Sequence, residues 1–452
     1  MAGIGFELRR AIDLDASFLV RVRAWASAGL IASGPWLITI AVLTAIQVLA
    51  PREELREQYD LFRGLVTYAS AFSLIAVGLL QVPATRWLAD ALWRRERGAL
   101  LPALAACLAV SGVLQCVIGT LFAEHLQLDP ATGLGLVVLY VAYTWSWLAL
   151  VWLGATRDYD QILVAYVVGS GVCIGLVLWP EVRASLEGLV GAVAAGQAVT
   201  VMLLVRAVVR GVPPSDERSF TVLRSVRTFP RLLAFGALYN IGIWSDKVTF
   251  WVMDGESVRG ILLKHPLYDS CSFLAYATVV PALAINLVRI ETSFYPRYRS
   301  YYDVIEQGGS LAMIQRARAA MVQTLRESAA RIVRVQAWIT GACILFAPEL
   351  LGICGVPDGA APTFRVLCAG AYFHVLLLLT LLTLLYFDQQ RAALRCAALF
   401  CLANIALPML SSYGRPVHFG IGYASAALCA LLFGFAQLQR TLARLEYLTF
   451  TR

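Results

Sequence analysis

The chain has 452 residues, of which 59% are hydrophobic and only 15% charged, with a mean hydropathy of +0.71. A soluble domain is about half apolar and about one-quarter charged, so a fold this apolar cannot cover a water-facing surface, and a soluble enzyme is excluded. The formal charge of +8 is carried by basic residues dispersed among short loops, which argues against a nucleic-acid-binding face and for topology signals in a membrane protein.

The opening stretch, MAGIGFELRRAIDLDASFLVRVR, is too polar for a signal peptide, and no leader is expected to be removed. Phe6, Leu8, Ile12, Leu14, Phe18 and Leu19 predict an amphipathic segment lying on the cytoplasmic face of the membrane. Apolar runs long enough to cross about 30 Å of hydrocarbon as helices follow near 24–49, 62–84, 99–122, 133–154, 161–179 and 187–209. After a polar gap come runs near 232–253, 268–290, 335–356, 364–386, 396–413 and 417–438. The alternating ten-residue pattern of a β-barrel is absent. The sequence therefore predicts an all-α polytopic membrane protein of about twelve spans. With both termini in the cytoplasm, about 28 of the 37 Lys and Arg residues fall on the inside and about 8 on the outside, as the positive-inside rule favours.

The polar stretch 210–231 divides the chain into an N-terminal six-helix lobe (1–209) and a C-terminal one (232–452), and 291–334 reads as a cytoplasmic helical hairpin or interfacial helix. Six plus six is the arrangement of transporters with a substrate path between two lobes. Ten cysteines lie mostly inside apolar runs, as small hydrophobes do, and the four histidines (His125, His265, His374, His418) are scattered, so no metal site or other cofactor is expected. Asp158-x-Asp160 has a nucleotide-sugar spacing, but its loop is too short for a catalytic domain and no Walker A sequence occurs, so the chain is not expected to be an enzyme.

Charges inside membrane helices are costly and mark functional cavities or structural ion pairs. The outstanding case is 232–253, where Asp246 and Lys247 are accompanied by Tyr239, Asn240, Trp244 and Ser245. Adjacent residues lie about 100° apart on a helix, so both charges are expected to line one wet sector without pairing face to face. Ser33, Pro35 and Trp36 interrupt the first run, where proline leaves a carbonyl that another helix or water must satisfy. Pro281 and Pro348 interrupt later runs in the same way, and Glu349 is an acid near a helix end. The Arg- and Tyr-dense stretch with Arg289, Arg297, Tyr298, Arg299 and Tyr301 reads as an interfacial belt or as a docking surface for a cytoplasmic partner.

The opening MAGIGFELRR, the stretch YNIGIWSDKVTFWV at 239–252 and HPLYDSCSFLAYATVVPALAINLVRIETSFYPRYRSYYDVI at 265–305 resemble the PelG family, the polytopic inner-membrane component of Pel exopolysaccharide export. The resemblance implies a flippase fold of the MOP superfamily, MATE-like, and movement of a partly de-N-acetylated hexosamine polymer across the inner membrane during biofilm matrix export. It also implies a complex with a cytoplasmic glycosyltransferase, the cyclic-di-GMP receptor PelD and the tetratricopeptide membrane protein PelE. Rival readings are a lipid-linked oligosaccharide flippase, a drug/cation antiporter using Asp246 or Glu349, and a non-conducting scaffold for a synthase.

Overall fold

The computed structural model describes residues 40, 42–46, 56–156, 159–213, 220–260, 262–413 and 418–451. Of the first expected span, near 24–49, residues 42–46 are helical and most of the remainder, with Ser33, Pro35, Trp36 and the amphipathic N-terminal stretch, lies outside the described residues. Among the described residues, nine helices are long and apolar enough to cross a membrane, or ten if one bent pair is a single span. Nine of the apolar runs read from the sequence coincide with those nine helices. By packing, the chain divides between His265 and Pro266 into two compact units.

The first unit contains α1 (Arg56–Trp93), α2 (Leu100–His125), α3 (Pro130–Thr156), α4 (Tyr159–Val177), α5 (Leu186–Gly211), α6 (Thr221–Thr228) and α7 (Pro230–Asp254). α3 packs against α1, α2 and α5, α5 packs against α4, and α7 lies along α1. The long apolar helices, α2 to α5, are hydrophobic on every side, so what distinguishes their faces is size and polarity. On α2, Val110, Val113, Leu114, Val117 and Leu121 are exposed at helical spacing, whereas Ser111, Gly112, Gln115 and Gly119 are buried. Large aliphatics thus face lipid and small or polar residues face neighbouring helices, as expected where no hydrophobic effect drives one helix against another. Two indoles close this contact: Trp152 Nε1 donates to the Leu100 carbonyl at 3.0 Å and Trp145 Nε1 to that of Leu108 at 2.9 Å.

Between α7 and the second unit the chain makes a two-stranded antiparallel hairpin, β1 (Glu256–Val258) and β2 (Leu262–Lys264). The hairpin is tied to α1. Lys264 Nζ lies 2.8 Å from the Asp60 carboxylate, Tyr68 Oη donates to the Leu263 carbonyl at 2.8 Å, and Leu262 is buried over Gly64.

The second unit contains α8 (Pro266–Ala277), α9 (Val280–Arg289), α10 (Tyr295–Glu306), α11 (Leu311–Leu345), α12 (Ala347–Ile353), α13 (Ala361–Tyr386), α14 (Gln390–Ser412), α15 (Ile421–Ala443) and α16 (Leu445–Phe450). α13 packs against α15, α8 and α11, and α14 packs against α15. Pro281 stands at the break between α8 and α9, in the first turn of α9; a continuous helix here would lose an N–H and press the ring against the carbonyl one turn back. A carbonyl at the break, that of Thr278, accepts from Gln336 Nε2 of α11 at 3.0 Å, so the interruption is satisfied inside the bundle. Pro348 marks the second break: α11 and α12 are bent by 77°. Residues 290–294 form a π-helical turn leading into α10, and α10 and α11 are joined by a tight turn with Gly308 at φ +70°. Residues 291–334 are therefore a helix–turn–helix.

Candidate transport site

α7 is not among the nine membrane-capable helices because the polar run from Tyr239 to Lys247 lowers its hydropathy. The contact of α7 with α1 is made from within this run and from either side of it. Gly236 meets the Gly78 carbonyl with no room for a Cβ, and one turn on Asn240 Nδ2 donates to the Leu74 carbonyl at 3.1 Å. Farther along, the Trp251 ring stacks on Tyr68 with centroids 4.8 Å apart. The small residue permits close approach, and the amide and indole fix the register on either side of the charges.

Asp246 and Lys247 lie on this helix with exposures of 0% and 2%. Contrary to the expectation that they would not pair, Lys247 Nζ lies 3.3 Å from both oxygens of the Asp246 carboxylate. Although neighbours on a helix point in different directions, the four-carbon lysine stem is long enough to bring the ammonium back over the carboxylate. The ammonium also approaches the Ile243 carbonyl at 3.4 Å and lies 5.7 Å from the centre of the Trp244 ring. Each contact helps offset the loss of water around a cation. Tyr239, one turn before Ile243, is half-buried with its ring stacked on Phe235. In this conformation the pair is closed off from water.

A cleft that sequence reasoning missed lies in the same unit, among α3, α4 and α5. Tyr143, Tyr166, Ser170, Gln197 and Thr200 line it, with Val42 and Leu43 at one side, and none of its described lining residues carries a charge. Gln197 Nε2 donates to Ser146 Oγ at 2.7 Å, linking α5 to α3. The signal that could have found it was Gln197 and Tyr166 inside long apolar runs, which is subtler than a charge.

The Arg/Tyr stretch separates into two faces. Tyr301 is fully buried and its hydroxyl meets Thr449 at 3.4 Å, while Tyr298 packs among Phe294, Tyr302, Tyr386 and Phe387 and donates to the Tyr386 carbonyl at 3.3 Å. Tyr301 is thus a core residue of the second unit, and Tyr298 is half-buried against that core. Arg297 and Arg299 are exposed, the latter 3.8 Å from Asp303, and Arg289 is half-buried. Glu349 is exposed at the start of α12.

The fold is that of MATE transporters of the MOP superfamily. An outward-facing multidrug resistance MATE transporter superimposes with a TM-score of 0.63 at 14% identity, over 93% of this chain and 96% of that one. A MOP superfamily transporter from Pyrococcus furiosus, described as having a binding pocket of reversed polarity, superimposes with a TM-score of 0.62 at 14% identity, over 98% and 97%. A MATE protein in the straight conformation gives 0.60 at 13% identity, over 98% of each chain. No curated protein sequence matches the chain. The class defined by these features is a multi-pass membrane transporter with a buried ion pair in one helix. Over residues 1–450 the sequence matches PelG, described as a putative exopolysaccharide exporter, and the chain belongs to that family.

Proposed function

We propose that the chain is the inner-membrane subunit that moves a hexosamine exopolysaccharide of the Pel type across the cytoplasmic membrane during biofilm matrix export, with both termini in the cytoplasm. The observation that carries this reading is the family match over residues 1–450 on a transporter fold. The chemistry of α7 agrees with it. A hexosamine strand needs hydrogen-bonding groups and aromatic faces, and Tyr239, Asn240, Trp244, Asp246 and Lys247 supply both kinds along a single helix. In the present conformation Asp246 and Lys247 pair with each other and Asn240 donates to the Leu74 carbonyl. When α7 separates from α1, Asn240 and the ion pair would exchange protein partners for sugar hydroxyls, so little hydrogen bonding is lost in either state. Asp246 would attract a de-N-acetylated, cationic unit, and would accept hydrogen bonds from an acetylated, neutral one.

Polymerisation belongs to a partner in this account, a cytoplasmic glycosyltransferase using nucleotide sugars, in a complex with PelD and PelE. Arg297 and Arg299, which face outward, are the residues of the sequence-selected set that remain available to such a partner. The reading is tested by secreted polymer in a deletion strain complemented with the Asp246→Asn, Lys247→Met double variant. Loss of polymer at wild-type membrane level and with partners still co-purifying supports it. Wild-type secretion removes the pair from the transport path.

A further inference from the structure

The second unit holds a buried imidazole that the transport reading does not use. His374 sits near the middle of α13, 5% exposed, between two tyrosines from different helices. Its Nδ1 lies 2.9 Å from Tyr423 Oη of α15 and 3.2 Å from Tyr276 Oη of α8. The Phe400 ring of α14 is 4.8 Å away, tilted by 40°. Three helices besides its own therefore touch this one ring. An ionisable group at membrane depth is costly to keep unless it works.

We propose that His374, with Tyr276 and Tyr423, is a proton-binding site of the second unit whose loading is coupled to the transport cycle; the coupling, though not the site, rests on the transporter reading above. The geometry accommodates both charge states. In the neutral ring protonated at Nε2, Nδ1 has one lone pair and accepts from one phenol. When Nδ1 takes up a proton from water, it becomes a donor, and the same phenol must turn its own O–H elsewhere and accept at its oxygen. Two phenol oxygens at one nitrogen, with the Phe400 ring nearby, give the imidazolium ready partners. Gaining a proton therefore reverses a hydrogen bond that holds α13 to α15 or to α8, and losing it restores the bond. This is a two-state contact between helices of the kind that couples ion binding to movement.

On helices packed against α13, Gln336 and Thr340 of α11 and Asn404 of α14 are also buried. Buried thiols of the unit are Cys271, Cys368, Cys396 and Cys401. The acid in register is Asp269, seven residues before Tyr276 on the same face of α8 and about 10 Å along its axis. Arg365, earlier on α13, is exposed and its Nε donates to the Ile344 carbonyl, so it points away.

The test uses the full chain in lipid nanodiscs with 15N-histidine, the His374 signal being assigned by its loss in His374→Gln. The expected result is a titration of His374 between about pH 5 and 8, with a midpoint moved by about one unit or more in the Tyr276→Phe, Tyr423→Phe variant. A His374 signal unchanged across that range, or a midpoint indifferent to the phenols, overturns the site whatever the cargo is. Coupling is read separately from polymer export against medium pH in cells carrying His374→Gln at wild-type membrane level. A flattened profile is expected, and a wild-type profile overturns the coupling. Export that continues without this chain would instead sink the transport reading and leave the titration result standing.

Discussion

Replacing Lys247 by Met leaves the Asp246 carboxylate without the ammonium that now lies 3.3 Å from both of its oxygens. At that separation and an effective dielectric of about 20, the direct attraction is about 5 kcal/mol. The net cost of removing one partner of a buried pair is about 3–5 kcal/mol, because the remaining charge stays desolvated. Removing both charges together costs far less, since a neutral amide and a thioether fill similar volumes without a buried ion. The single variants Lys247→Met and Asp246→Asn should each lower stability strongly, and the double variant should recover most of it. Unfolding of the full-length protein in mild detergent, followed by tryptophan fluorescence, measures the three variants against wild type. A coupling energy of about 2 kcal/mol or more is expected. Additive effects to within about 0.5 kcal/mol would show that the two charges do not stabilise each other and would refute the reasoning. The double variant is accordingly the right one for export measurements, since it neutralises the site without an unpaired charge.

Gly236→Leu should drive α7 away from α1, because even a Cβ at this position collides with the Gly78 backbone carbonyl; a stability loss of about 1–3 kcal/mol is expected by the same unfolding assay. Arg318→Ala should loosen the C-terminal α16, since the guanidinium holds the Leu442 carbonyl at 2.6 Å and Glu446 at 3.2 Å, and faster proteolysis after Ala443 would register the loss. Asp129 accepts from the Thr132 backbone N–H at 2.9 Å at the start of α3; burial pushes its carboxyl up, but hydrogen bonds from Thr132 and the neighbouring backbone N–H groups together outweigh that and hold it below the ordinary value. The part of its contribution that depends on charge is therefore present above the unfolded carboxylate range, about pH 4, and is lost as pH falls through the lower folded value. Asp129→Ala should cost about 0.5–1 kcal/mol at neutral pH and less at a pH below both values, read from melting temperatures across the range.

Hydropathy made the spans legible because lipid demands apolar length regardless of how helices pack. The prolines at 281 and 348 likewise announced breaks, since the missing N–H acts locally. Pairing of Asp246 with Lys247 was not legible: the helical wheel separates their Cβ atoms, and only the length of the lysine stem closes the gap. The inward turn of Tyr298 and Tyr301 was available in principle, as Phe294, Tyr298, Tyr301 and Tyr302 follow one helical face, but their neighbouring arginines drew the reading outward. The hairpin at 256–264 is too short and too polar for strand periodicity to show. His374, Tyr276 and Tyr423 come together only through the packing of three helices, so no spacing in the chain foretells their contact.

The central claim is that this chain carries an exopolysaccharide through a membrane, and inverted inner-membrane vesicles test it most directly. Vesicles containing the proposed glycosyltransferase and its partners are supplied with nucleotide sugar, and the new polymer is challenged with an added glycosidase. Polymer protected inside the lumen only when this chain is present is the predicted result. Polymer that is protected equally without the chain, or that stays accessible outside with it, would contradict the account.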